Sequence, residues 1–192
     1  MPTASPWQNT EATCVPEKTA TLLSPTLTTS PRAPTLIIGL GNPDRGDDAL
    51  GPRCLDYLTT LALPGVELLS DFQLQVEFAL DLAERDAVIF VDAAASGAAP
   101  FAYTPVMPDT YLAHTSHALT PAQLLAACAR IGVSAPQSVW LLAIRGYDFE
   151  LGVAPGTEAV RNLEAAQHFL AKHVLTSLPS PVPGGQISRP AP

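Results

Sequence analysis

The chain has 192 residues, is 47% hydrophobic and carries a formal net charge of −8. That length suits one domain with loose ends, and that apolar content is enough for a real core. The acidic balance argues against nucleic acid and anionic membrane as main partners.

In chain order, residues 1–34 are rich in Thr, Ser and Pro without a sustained period, and are expected to be a disordered extension. They lack the basic-then-apolar order of a secretion signal, so a cytoplasmic location is expected. The next stretch, TLIIGLGNPDRGDDALGPR over Thr35–Arg53, organises the rest. Leu36, Ile37 and Ile38 form a short apolar run that ends in glycines, as a buried parallel strand would. Gly39, Gly41 and Gly46 allow a tight exit, and Asn42 can fix the loop through its neighbouring backbone. Asp47 and Asp48 are expected to open the next helix, where the dipole favours negative charge. Pro52 fits a first helical turn.

Leu50, Cys54, Leu55, Leu58 and Leu61 then repeat at helical spacing until Pro64-Gly65. Val66–Leu69 reads as a second strand with Asp71 following, and Val76–Glu84 as a second helix. AVIFV over Ala87–Val91 is the clearest central strand; it is expected to end there and deliver Asp92. No apolar run approaches the length of a membrane span, and this one stops at Asp92. Phe101–Val106 reads as a strand near an edge, because Pro105 cannot donate to a ladder. A loop over Asp109–Leu119 carries His114 and His117. Thr120-Pro121 starts a third helix with Leu124, Leu125, Cys128 and Ile131 as its stripe. Val139–Ile144 is another buried strand, Arg145–Gly156 a polar loop, and Thr157 to about Leu175 a last helix. Residues 178–192, rich in Pro, are expected to be a second disordered tail.

Strands alternating with helices predict an α/β fold. The expectation is one three-layer domain over residues 35–177, with a mostly parallel twisted sheet of about five strands and helices on both faces. Cys14, Cys54 and Cys128 form no CxxC pair, which removes a disulfide framework and a zinc cluster. Cys54 and Cys128 fall on apolar helical faces and read as core.

The turn after the first strand leaves three readings open. It can be a plain capped βα turn, a dinucleotide-binding turn, or a carboxylate site at the carboxyl edge of a parallel sheet. The second is weak, because GLGNPDRG is not the three-glycine fingerprint. In the third, Asp47, Asp48 and Asp92 reach one edge and His117 comes within range. Carboxylate and imidazole together suit a divalent transition metal such as nickel, zinc or iron. Against this, Asp92 could simply cap a turn and His117 could be a solvated loop residue. No HExxH helix and no GxSxG elbow is present, which removes the common zinc-protease and serine-hydrolase patterns.

The motifs GLGNPDRGDDALG, DFQLQVEFALDLAERDAVIFVDA, SHALTPAQLL and RGYDFELG, in that order, resemble the [NiFe]-hydrogenase maturation proteases. The DRGDDALGP form is most similar to those serving bidirectional, NAD-linked hydrogenases. The resemblance covers roughly Thr35 to Leu175. It implies an endopeptidase that removes a short carboxyl-terminal peptide from the hydrogenase large-subunit precursor. It implies that the nickel arrives bound to that precursor and serves as a recognition element, so that the isolated protein can be metal-free. By motif it puts the metal-contacting and catalytic residues at Asp48, Asp92 and His117, with Asp47 supporting Asp48 and Asp71 secondary. Ala49 stands where many members have Gly, and Val153–Gly156 is a Pro-containing variant of the family's segment. A monomer is expected. The rival from another class is a non-catalytic nickel or hydrogenase assembly chaperone. Peptidyl-tRNA hydrolase shares the GLGNP start, but it would need an Asn-His pair and a basic surface.

Overall fold

The structure, a computed structural model, describes residues 32–109 and 119–177. Ten elements follow the order read from the sequence. They are β1 (Thr35–Leu40), a short 3-10 turn (Gly46–Ala49), α1 (Leu50–Thr60), β2 (Val66–Asp71), α2 (Phe78–Leu82), β3 (Ala87–Ala94), β4 (Phe101–Pro105), α3 (Pro121–Ile131), β5 (Ser138–Arg145) and α4 (Thr157–Ser177).

The sheet has five strands in the order β2-β1-β3-β5-β4. The first four run parallel and β4 is antiparallel at one edge. All six residues of β1 are buried, because it lies between β2 and β3 with helices over both faces. The period of two along the strands splits the core in two. Ile37, Ile89, Val91, Leu142 and Ile144 face α1 and α4. Leu36, Ile38, Leu40, Val88, Phe90 and Val139 face α2 and α3. The α/β class, the mostly parallel sheet and the five strands are therefore as the alternation predicts. Cys54 and Cys128 each lie fully buried in one of these two clusters, and burial pushes the Cys54 thiol up to about 12.

Three boundaries differ from the sequence reading. The carboxylates Asp47 and Asp48 do not open α1; they lie in the 3-10 turn before it, and α1 has no acidic residue in its first turn. α2 spans Phe78–Leu82 rather than Val76–Glu84, because Ala83 is extended and Glu84 takes a φ of 61°. β3 does not stop at Val91. It continues to Ala94 because β5 runs alongside it, pairing Asp92 with Ala143 and Ala94 with Arg145. Asp92 is thus a strand residue rather than the residue after a strand.

The carboxyl edge is tightly built. A Cβ on Gly51 would lie 2.2 Å from the Leu40 carbonyl oxygen and 2.8 Å from that of Val91. Only glycine lets the start of α1 rest on the ends of β1 and β3. At the opposite edge, the buried Arg85 guanidinium donates to the Ala33 and Asp81 carbonyls and pairs with Glu67 at 2.7 Å. α3 begins with a reciprocal cap between Thr120 and Gln123, as its Thr-Pro start suggests. Among the described residues, no helix is long and apolar enough to cross a membrane.

Candidate carboxylate site

Three parallel strands end together at one edge, and each delivers an aspartate or leads to one. β1 ends at Leu40 and passes into Gly41, whose φ of +127° suits glycine. A Cβ there would also lie 2.0 Å from the Asp48 carbonyl oxygen. This turn folds the chain back, so that Asn42 N–H donates to Asp48 Oδ2 at 2.8 Å. β2 ends at Asp71, whose carbonyl accepts from Gly41 N–H at 3.1 Å. β3 carries Asp92, whose Oδ1 accepts from Ala93 N–H at 2.8 Å. By strand alternation Asp71 and Asp92 lie on the sheet face covered by α2 and α3.

Asp48 and Asp92 act on each other electrically. Burial raises the Asp92 carboxyl to about 6; the Ala93 N–H opposes the rise, and the nearby charge of Asp48 adds to it. A carboxyl poised near neutrality beside a second carboxylate can accept a proton from water or share a bound cation.

Asp47 does something else. It is fully buried, and its carboxylate accepts three backbone N–H groups from far along the chain. Tyr147 and Asp148 donate to Oδ2 at 2.6 and 3.0 Å, and Gly156 donates to Oδ1 at 2.9 Å. The backbone joins in: Asp47 N–H donates to Asp148 O, Gly46 N–H to Val153 O and Gly152 N–H to Asp44 O. Arg45 Nε adds a bond to Phe149 O at 2.9 Å. The loop after β5 is therefore fastened to the turn after β1. Asn162 on α4 holds the other side, donating to Arg145 O and Tyr147 Oη. Arg145 itself donates to the Ala94 and Gly146 carbonyls and lies 4.7 Å over the Tyr147 ring.

The structure thus brings two sequence-predicted residues, Asp48 and Asp92, to one edge, with Asp71 at the end of the neighbouring strand. His117, like His114, lies outside the described residues. Of the described residues that flank it, Asp109 N–H donates to Ala122 O and Leu119 N–H donates to Leu74 O. Among the described residues, no group of three metal-ligating side chains comes together. Sequence reasoning missed the fastening of residues 145–156 by Asp47. The signal available was RGYDFELG itself, a glycine-bearing polar run directly after a buried strand.

No protein-family model matches the chain, and none of the curated proteins matches it. Solved structures do. The hydrogenase maturating endopeptidase HybD from E. coli superposes with a TM-score of 0.58 at 22% identity, over 74% of this chain and 93% of its own. The [NiFe] hydrogenase maturation protease HycI from Thermococcus kodakarensis KOD1 gives 0.59 at 22%, over 76% and 94%. A hydrogenase 2 maturation peptidase from Thaumarchaeota archaeon gives 0.54 at 23%, over 73% and 97%. At these identities the likeness is one of architecture: this chain has the fold of these hydrogenase maturation peptidases along nearly their whole length.

Proposed function

We propose that this chain is an endopeptidase that trims the carboxyl terminus of a [NiFe]-hydrogenase large-subunit precursor, reading the nickel carried by that precursor. The observation that carries the reading is the pair Asp48 and Asp92, electrically coupled at the carboxyl edge of a sheet whose fold is that of the maturation peptidases. The order of the sequence motifs supports it independently. The DRGDDALGP form favours a precursor from the bidirectional, NAD-linked class.

In this proposal Asp48, Asp92 and His117 form an incomplete set of oxygen and nitrogen ligands that the precursor's nickel completes. A precursor without nickel offers nothing to complete, so it is rejected by a missing ligation. Asp92, with its raised pKa, is the better placed general base for a water that attacks the scissile carbonyl. Asp48 keeps that pKa up through its charge and is held on the Asn42 N–H.

The test mixes the purified chain with nickel-loaded and nickel-free precursor and weighs the products by mass spectrometry. Loss of a discrete carboxyl-terminal peptide from the nickel-loaded form alone is the expected result. Nickel-dependent binding with no mass loss would instead identify an assembly chaperone. Asp48→Asn divides the roles further. Retained binding without cleavage assigns Asp48 to the chemistry, and lost binding assigns it to recognition.

A further inference from the structure

The two edges of the sheet are unlike. β4 ends in Pro105, which blunts it in the usual way. β2, VELLSD, has no proline, no lysine and no bulge. Its outward groups follow from its bonds to β1. Gly65 O accepts from Thr35 N–H, and Asp71 O accepts from Gly41 N–H. Strand alternation then turns Gly65, Glu67, Leu69 and Asp71 towards β1, and the N–H and C=O of Val66, Leu68 and Ser70 away from it. Among the described residues, no backbone group pairs with these three.

Beside that edge lies an apolar cleft of about 160 Å³, lined by Leu58, Thr59, Ala62, Leu63, Val66 and Leu68. Its place is where the alternate side chains of an added strand would fall on the α1 face. The strand itself runs to Asp71 at the carboxylate edge. Among the described residues, the only ion pair is Arg85 with Glu67, so no basic side chain neutralises Asp71, Asp48 or Asp92.

We infer that the outer edge of β2 is a docking strand: an extended segment of the substrate polypeptide adds to it, with an apolar side chain in the cleft and a cationic group beyond the strand's end, over the carboxylates. Main-chain bonds to Val66, Leu68 and Ser70 supply affinity, and the cleft supplies specificity. From Leu68 to Asp71 is about 10 Å at strand rise, and two strand spacings of about 5 Å separate β2 from β3. The apolar anchor therefore lies several residues from the reacting bond. This inference rests on the peptidase reading for the identity of its occupant, but not for the existence of the docking edge.

The experiment uses the full chain, labelled with nitrogen-15, and a synthetic peptide of the last 20 residues of the large-subunit precursor as probe. Binding should shift and protect the amides of Val66, Leu68 and Ser70 while leaving those of Leu36 and Ile38 unchanged. Two exposed substitutions isolate the surface. Ser70→Pro removes one outward donor, and Thr59→Arg fills the cleft mouth. Each should weaken peptide binding and raise KM for precursor about tenfold, with kcat and the unfolding midpoint unchanged. Equal KM for both variants and the parent, with cleavage intact, would overturn the docking strand and leave the peptidase reading standing. Amide protection along β2 without any cleavage of nickel-loaded precursor would establish the edge and sink the peptidase reading. Peptide shifts confined to the Asp71–Asp92 edge would overturn the inference as well.

Discussion

Asp47 and Asp48 are adjacent in sequence, yet their carboxylates meet different surroundings. Asp47 is enclosed and satisfied by three backbone N–H groups, whereas Asp48 accepts the Asn42 N–H and its charge acts on Asp92. Replacing Asp47 by Ala would leave those three donors without an acceptor, at a cost of about 3 kcal/mol or more. Urea unfolding of Asp47→Ala should show that loss, whereas Asp48→Asn, which keeps an acceptor oxygen for Asn42, should unfold within about 1 kcal/mol of the parent. Asp92 makes a pH-dependent prediction. Its folded pKa of about 6 lies above its ordinary value of 3.8, so the folded chain holds the proton more tightly than the unfolded one. The stabilisation is complete below pH 3.8 and is lost as pH rises through about 6. At pH 8 the buried charge costs up to about 3 kcal/mol. Asp92→Asn should therefore be more stable than the parent at pH 8, and the difference should close by pH 4. A gain of equal size at both pH values would show that the Asp92 charge is not its source. The convergence of Asp48 and Asp92 was legible because the acidic pair closes the turn after the first apolar strand and Asp92 directly follows the apolar run AVIFV. The part played by Asp47 was not, because its side-chain partners lie 100, 101 and 109 residues away and leave no local spacing to read.

The elements were read well where a period was long and poorly where it was short. The stripe of α1, α3 and α4 runs over several turns, and β1, β3 and β5 are unbroken apolar runs, so their existence was plain. β3 runs past its expected end at Val91 because Asp92, a polar residue, continues a ladder that a neighbouring strand sustains. α2 is shorter than the reading because nothing in the sequence around Glu84 marks the point where the backbone opens, at an extended Ala83 and a Glu84 with φ of 61°. The contact between α1 and the strand ends gives a sharp test. An alanine inside a helix usually gains about 1 kcal/mol over glycine. Gly51→Ala should instead lose more than about 2 kcal/mol, because the added methyl meets carbonyl oxygens of both β1 and β3. A denaturant midpoint at or above that of the parent would mean that α1 can lift off the edge freely.

Taken whole, the described chain is a sheet with a protected middle and unequal margins. β1 is buried throughout and β3 is buried through its central residues, whereas β2 is half-buried and joined to β3 by a helix of only five residues. Native-state hydrogen exchange should follow that order, slowest in β1, β3 and β5 and faster in β2 and α2. Uniform protection across all five strands would show that the sheet opens only globally. Asp92 thus stands on one of the firmest strands and Asp48 in the turn that follows another, whereas the edge that could take a partner belongs to the softer β2.

The fastening of residues 145–156 to the turn at Asp47 has a consequence for how the chain is made. Synthesis proceeds from the amino end, and domains organise as their parts emerge. The turn with Asp47 leaves the ribosome about a hundred residues before Tyr147, Asp148 and Gly156, which supply its donors. Until then a carboxylate destined for burial has no partners, and the turn that holds Asp48 lacks its far wall. A truncated chain that stops before β5 carries both candidate catalytic aspartates in its sequence and still lacks the frame that sets them. The frame is completed only once Gly156 has emerged, so products that stop before it are born without the site.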